Sequence, residues 1–168
     1  NDQFGTSVDC SYNGDTIVVG SLHTNKVRVF RNNQGTWTQV GNEISGEHPG
    51  DGFGFSVSVS NDGRTVAAGA RSNDDNGNNA GHTRVFELQG GVWQQKGLDM
   101  DGEAADDQSG YSISLSSNGD VVAIGAWGND GNGQSSGSVR VFEFGGMDWQ
   151  QLGIDIDGEA MRSEERRV

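Results

Sequence analysis

Hydrophobic and polar residues alternate along several short stretches of the chain, as they do in half-buried β-strands. In segment 53–60 valine alternates with serine, and the Asn-Asp-Gly sequence that follows has the composition of a tight turn. Segments 65–70, 83–88 and 92–97 are three further apolar or alternating stretches, separated by polar, glycine-containing residues. No stretch keeps an amphipathic period of 3.6 beyond a turn or two. The pattern therefore predicts four consecutive antiparallel strands and no helix.

This four-strand unit occurs three times. Segment 53–60 returns as 109–116, and the strands that follow return at the same offset of 56 residues. A first copy begins at Phe4, with an offset of 49 residues up to Gly20 and 56 from Val27 onward, so its loop is seven residues shorter. A unit copied at constant spacing indicates an array of one supersecondary structure. Four strands per unit of about 40–60 residues is typical of a β-propeller blade.

We therefore predict an all-β fold, a β-propeller-like array of three four-stranded antiparallel blades at residues 2–47, 51–103 and 107–159. A β-sandwich does not explain the strict period, and the coils of a β-solenoid are usually shorter. The propeller segment spans residues 1–160, and the tail 161–168 does not continue the repeat. The chain reads as a fragment whose outer blades need further blades or self-association to cover them.

The last hairpin of the third copy has a pair of glycines at 145–146, which predicts a two-residue turn. Pairing about that turn places Phe142 opposite Trp149 and Arg140 near Gln151. An aromatic cross-strand pair of this kind contributes about 0.2–1 kcal/mol.

Composition restricts the classes of partner. The 28 glycines and single proline suit many tight turns between short strands. A net charge of −13 disfavours nucleic acid, because phosphates would be repelled. Cys10 is the only cysteine, so no intrachain disulfide forms. We predict no transmembrane segment, since no apolar run reaches spanning length, and the sequence shows no signal peptide.

The order of motifs resembles the FG-GAP repeat, which forms the β-propeller of integrin α subunits. Phe-Gly stands at 4–5 and 53–54, and Gly-Ala at 69–70 and 125–126, while Ser109 replaces the phenylalanine in the third copy. The short turns after the first strands lack the Asp-rich calcium loops of integrins. The resemblance implies an extracellular or cell-surface location and a closed ring of about seven blades.

The resemblance also implies a non-catalytic binding or adhesion module, whose protein or glycan ligand contacts a loop face. A carbohydrate-binding, lectin-like propeller is the first alternative, and a propeller glycosidase or lyase is the second. The three histidines, His23, His48 and His82, do not recur between copies. No nucleophile elbow, zinc-binding helix or phosphate loop is present. We therefore predict no catalytic residues and no enzymatic activity.

The long loop between the second and third strands is a candidate calcium site, because it combines oxygen ligands with tight turns. An Asn/Gly-rich loop held by side-chain turn bonds is the alternative, since no bidentate carboxylate closes the loop. Another acidic pattern, at 99–103 and 155–159, resembles the start of an EF-hand loop and reads better as a blade-to-blade connection. Calcium is the one cofactor predicted, with the ligands Asn73, Asp74, Asp75, Asn76, Asn129, Asp130 and Asn132.

Residues that recur in each copy are predicted to belong to the scaffold, with tryptophans packing the blades and arginines bracing one blade against the next. Trp127 and Arg71 occupy one repeat position but differ in type, so we predict that they contact a ligand. Packing of Trp127 under its own loop is the alternative. The recurrent scaffold residues are Gly5, Gly54, Gly110, Trp37, Trp93, Trp149, Arg28, Arg84 and Arg140.

Overall fold

The computed structural model describes residues 2–159, in which three antiparallel sheets form and no residue is helical. Blade 1 contains β1 (Phe4–Cys10), β2 (Thr16–Ser21), β3 (Lys26–Asn33), β4 (Thr36–Gln39) and β5 (Ile44–Ser45). Blade 2 contains β6 (Phe53–Val59), β7 (Thr65–Ala70), β8 (His82–Gln89), β9 (Val92–Gln95) and β10 (Met100–Asp101). Blade 3 contains β11 (Ser109–Leu115), β12 (Val121–Ala126), β13 (Ser138–Phe144), β14 (Trp149–Gln151) and β15 (Ile156–Asp157).

The all-β, bladed fold is confirmed. Each sheet is a meander of four strands, as predicted, but each also has a two-residue fifth strand that pairs with the beginning of the third strand. No helix in residues 2–159 is long and apolar enough to cross a membrane. The predicted tail, 161–168, lies outside the described residues, as does Ala160.

The first strand of every blade contains a β-bulge immediately after its first residue. In β6 the register shifts between Phe53 and Ser56, and Gly54 adopts a φ of 84°. Gly5 and Gly110 take the same position with φ angles of 92° and 82°. Residues that have a Cβ atom rarely adopt such positive φ angles, so glycine is needed at the bulge position of each repeat.

The hydrophobic core lies between the blades rather than within any one of them. The first strand of blade 2 packs on the first two strands of blade 1, and the first strand of blade 3 packs on the first two strands of blade 2. One buried cluster joins blades 1 and 2 around Phe53, and another joins blades 2 and 3 around Ile124. A single blade therefore cannot bury its apolar faces alone, as expected for a repeat protein.

A serine hydroxyl links each pair of neighbouring blades. Ser7 Oγ donates to the Gly54 carbonyl at 2.7 Å, and Ser56 Oγ donates to the Gly110 carbonyl at 2.6 Å. The equivalent Ser112 makes no such bond to another blade within the described residues.

We expect Ser56→Ala to lower the free energy of unfolding by about 1 kcal/mol, because the Gly110 carbonyl loses its donor. Ser112→Ala is the matched control and should leave stability unchanged. Urea denaturation of both variants measures the difference. Equal losses of stability in the two variants would show that the serine hydroxyl stabilises its own strand rather than the contact between blades.

The recurrent tryptophans connect successive blades in two of the three copies. The buried Trp93 donates from Nε1 to the Val40 carbonyl at 2.8 Å, and the buried Trp149 donates to the Lys96 carbonyl at 2.6 Å. Trp37 differs from its counterparts because it is 44% exposed, and no blade precedes it among the described residues.

The recurrent arginines also reach across the blade boundary. Arg84 Nη1 donates to the Ser45 carbonyl at 3.4 Å, and Arg140 Nη2 donates to the Asp101 carbonyl at 2.5 Å. Both carbonyls belong to the two-residue strand of the preceding blade. Arg28 contacts instead the Asp2 carboxylate, at 2.5 Å.

The predicted register of the last hairpin is wrong by two residues. Trp149 stands opposite Phe144 rather than Phe142, and Phe142 pairs with Gln151. The Gly145 amide donates to the Asp148 carbonyl at 2.9 Å, which centres the turn one residue later than the glycine pair suggests. The aromatic contact is retained, with the Phe144 and Trp149 rings 5.3 Å apart.

Candidate functional site

The long loops and the blade-to-blade connections meet at one end of the blades, called here the loop end. In blade 2 this end contains the start of β6 and the end of β7, since Phe53 pairs with Ala70. It also contains the start of β8 and the end of β10, since Ala70 pairs with His82 and His82 with Asp101. Arg71 and His82, which have no identical counterparts in the other copies, therefore lie at the same end of blade 2.

Three aromatic side chains and one arginine form a continuous surface at the loop end. The ring of Tyr111 lies 5.0 Å from that of Phe55 and 5.9 Å from that of Trp127, measured between centroids. The guanidinium carbon of Arg71 lies 4.2 Å from the Phe55 centroid. Tyr111 is 40% exposed and Trp127 52%. We call these four residues the aromatic shelf.

Gln108 fixes the two shelf residues that the sequence singles out. Its Oε1 accepts hydrogen bonds from Arg71 Nη1 at 3.3 Å and from Trp127 Nε1 at 3.1 Å. Arg71 and Trp127 occupy one repeat position in neighbouring blades, and so they lie side by side. Trp127 is exposed rather than packed under its own loop.

Sequence reasoning missed Phe55 and Tyr111, which follow the bulge glycine in blades 2 and 3. A bulge re-aims the next side chain. The first copy has Thr6 at this position, and this difference in side-chain type is the signal that could have found them. Gln108 has no comparable signal. Chemically, the shelf offers flat apolar faces for stacking and a guanidinium that recognises carboxylate or phosphate.

A second group surrounds His82, the first residue of β8, which is fully buried. Its Nδ1 lies 3.7 Å from Asp99 Oδ2 and 3.9 Å from Asp101 Oδ1. Neither ring nitrogen has a hydrogen-bond partner among residues 2–159. Burial lowers the pKa of His82, and the Asp99 carboxylate opposes this only in part, so the environment favours the neutral imidazole.

Glu47 completes this group from the end of blade 1. Ligand atoms of Glu47, His82 and Asp99 all lie within 4.8 Å of one another. Arg84 holds the carboxylates from the side, with Nη2 3.7 Å from Glu47 Oε1 and Nε 3.4 Å from Asp99 Oδ1. We call Glu47, His82, Asp99 and Asp101 the His82 cluster. Asp99 and Asp101 were predicted to belong to a blade-to-blade connection, and no site was predicted at Glu47 or His82.

The predicted calcium ligands are hydrogen-bonded within the two long loops. Asn73 is buried, and its Nδ2 donates to carboxylate oxygens of Asp51 and Asp75, each at 3.1 Å. Asn129 repeats this role in blade 3, where it donates to Asp107 Oδ2 at 3.0 Å. The asparagine thus ties each loop to the connection that precedes its blade.

The other four predicted calcium ligands make similar bonds. Asp74 and Asp130 accept backbone N–H groups of their own loops, and Asn76 and Asn132 donate to backbone carbonyls of the following connection. These bonds fit the turn-forming alternative. Calcium binding stays a prediction.

Meandering sheets that pack face to face through their first strands define a β-propeller repeat protein. A model of the FG-GAP repeat matches residues 45–86 and 94–142, which together make up more than half of the chain. The chain belongs to the FG-GAP repeat family. No curated protein matches the sequence.

Solved structures with this fold include enzymes. A Bacteroides fragilis protein assigned as a 6-phosphogluconolactonase has a TM-score of 0.62 and 16% identity, over 90% of this chain and 38% of that one. The periplasmic gluconolactonase of Pseudomonas aeruginosa has a TM-score of 0.58 and 17% identity, over 90% and 39%. A β-propeller domain from Myceliophteria thermophila has a TM-score of 0.51 and 11% identity, over 92% and 45%. The chain spans about two fifths of the two lactonase-type structures.

The prediction of a non-catalytic adhesion module that is not an enzyme is wrong. It was drawn from the repeat family, whereas the similar propellers include proteins named as gluconolactonases. A propeller fold does not separate binding modules from enzymes, and at 16–17% identity these similarities show only the fold. An extracellular location stays a prediction.

Proposed function

We propose that this chain forms part of a propeller enzyme that hydrolyses a lactone of a sugar acid, and that the aromatic shelf binds the substrate. The observation that carries the proposal is the position of Arg71, stacked on Phe55 beside the exposed rings of Tyr111 and Trp127. The names of similar propellers, gluconolactonase and 6-phosphogluconolactonase, support this substrate class.

The chemistry of the shelf suits such a substrate. A sugar ring has an apolar C–H face that stacks on Trp127 or Tyr111, and its hydroxyl groups remain in water. A phosphate on the substrate, or the carboxylate that hydrolysis of the lactone releases, binds the Arg71 guanidinium, which can donate two parallel hydrogen bonds. Gln108 holds both groups in place before the ligand arrives, which reduces the entropy lost on binding.

We expect Trp127→Ala to weaken binding of 6-phosphogluconate about tenfold, which corresponds to about 1.4 kcal/mol. Arg71→Met, which keeps an apolar stem and removes the charge, should weaken it by a similar factor. Isothermal titration calorimetry measures both effects. Trp37→Ala is the control, because Trp37 is about as exposed but lies in blade 1.

Hydrolysis is measured separately, as proton release from δ-gluconolactone by the full chain. Unchanged affinity in both shelf variants would contradict the shelf as the binding site. Binding without turnover would contradict the enzymatic proposal and leave a carbohydrate-binding propeller.

A further inference from the structure

We propose that the His82 cluster binds a divalent transition-metal ion of the Zn²⁺ type through His82, Asp99 and Glu47. The site lies at the boundary of blades 1 and 2, and its Asp99 belongs to the acidic segment 99–103 that was predicted to be a blade-to-blade connection. The proposal does not depend on the function of the aromatic shelf.

The first argument is the state of the His82 ring. Buried polar side chains nearly always have hydrogen-bond partners, yet both nitrogens of this fully buried imidazole lack one within residues 2–159. Its Nδ1 faces the Asp99 carboxylate at 3.7 Å. A metal ion bound between these two groups would give Nδ1 a partner.

The second argument is the surplus of negative charge. Glu47, Asp99 and Asp101 converge on this position, and among the described residues Arg84 is the one arginine or lysine within 4.0 Å of their carboxylate oxygens. Arg140 reaches Asp101 only at its backbone carbonyl. Further positive charge is therefore favoured here.

Blade 1 shows how the same position is otherwise filled. Lys26 is the repeat counterpart of His82, and it pairs with Ser45 as His82 pairs with Asp101. Its Nζ lies 2.5 Å from Glu43, the counterpart of Asp99. An ammonium group thus occupies in blade 1 the region where we place the metal ion in blade 2.

The ligand set selects the class of metal. One imidazole and two carboxylates suit zinc and its neighbours, whereas Ca²⁺ takes six to eight oxygen ligands. Ligand atoms around a tetrahedral zinc ion lie about 3.3 Å apart at bond lengths of about 2.0–2.1 Å. The present atoms lie within 4.8 Å of one another, so modest side-chain rotations close the site. Glu47 is exposed and Asp99 partly so, which leaves room for a water ligand.

Blade 3 provides an internal comparison. It has the counterpart carboxylates Glu103, Asp155 and Asp157, but the buried Ser138 stands where blade 2 has His82. If the imidazole is the deciding ligand, blade 3 binds no zinc tightly, and Ser138→His gives it a second site.

Isothermal titration of the EDTA-dialysed chain with Zn²⁺ tests the proposal. We expect one equivalent for the wild type. Because loss of an outer-shell partner alone costs about 10–100-fold in metal affinity, removal of the ligand in His82→Ala should cost at least about 100-fold, and Asp99→Asn about tenfold or more. Asp99→Asn keeps the volume of a partly exposed side chain and so leaves the core filled. Visible absorbance after Co²⁺ loading reports the coordination geometry independently.

Two controls accompany the titration. His48→Ala removes a mostly exposed histidine that also lies near a carboxylate and should change nothing, whereas Ser138→His should bind a second equivalent. Circular dichroism confirms that each variant is folded. Absence of stoichiometric zinc in the wild type, or undiminished binding in both His82→Ala and Asp99→Asn, would overturn the site. A folded Ser138→His without a second equivalent would contradict the role given to the imidazole.

Discussion

Replacement of Phe53 by alanine is expected to lower the free energy of unfolding by about 4 kcal/mol, within the usual range for a buried phenylalanine. Phe53 has no exposed surface and belongs to the core that joins blades 1 and 2. Its ring meets that of Phe86 edge-on, with centroids 6.1 Å apart. Alanine would leave a cavity at the boundary between two blades, where each blade depends on the other for burial.

Phe4→Ala is the matched control, because Phe4 is the same motif residue in the first copy and is 49% exposed. We expect the free energy of unfolding to fall by about 1 kcal/mol. The substitution removes roughly half as much buried apolar surface, and no closed cavity forms. Urea denaturation followed by circular dichroism compares the two variants. Similar losses would show that the motif phenylalanine stabilises its own blade rather than the boundary.

Much of the fold could be predicted because its signals are local and occur three times. Alternation with a period of two identifies a strand without knowledge of its partner, and the predicted strand 65–70 coincides with β7. The two-residue strands β5, β10 and β15 were missed, since two residues are too few to show a period. The register of the last hairpin was missed because a Gly-Gly pair does not specify which residues form the turn.

The two candidate sites differ in how visible they are in the sequence. Trp127 and Arg71 could be found because side chains that differ at one repeat position are not required by the scaffold. The His82 cluster could not, because Glu47 and Asp99 are far from His82 in the chain. The pairing of β10 with β8 brings Asp99 towards His82, and the packing of blade 2 on blade 1 brings in Glu47.

The functional class was the least predictable property. Family resemblance suggested adhesion, but a family repeat describes how blades are built and not what their loops bind. Each proposal depends on a position that varies between copies: Arg71 and Trp127 at one, and Lys26, His82 and Ser138 at another. The proposed ligand Glu47, by contrast, recurs as Glu103 and Glu159. Variation between copies therefore indicates the candidate sites, although a recurrent residue can take part in one.

Replacement of Gly69 by alanine should separate blades 2 and 3. A Cβ atom at Gly69 would lie 2.1 Å from the Gly110 carbonyl oxygen and 2.4 Å from Ser56 Oγ, which donates to that same carbonyl. The carbonyl is backbone and cannot turn away unless the first strand of blade 3 moves. We expect a loss of about 3 kcal/mol in the free energy of unfolding, at the upper end for overpacking.

Gly125→Ala tests whether this loss arises between the blades. Gly125 is the equivalent residue of blade 3, and the three atoms nearest to the added Cβ all belong to Ser112, whose hydroxyl at 2.4 Å can rotate away. Alanine in a strand is otherwise favoured over glycine by about 0.5–1 kcal/mol, so the net change should be near zero. Urea denaturation monitored by tryptophan fluorescence suits both variants, because the buried Trp149 bonds across this boundary to Lys96. If Gly125→Ala lowers the free energy of unfolding as much as Gly69→Ala does, each glycine is required within its own sheet. The close approach of neighbouring blades would then not explain the need for glycine.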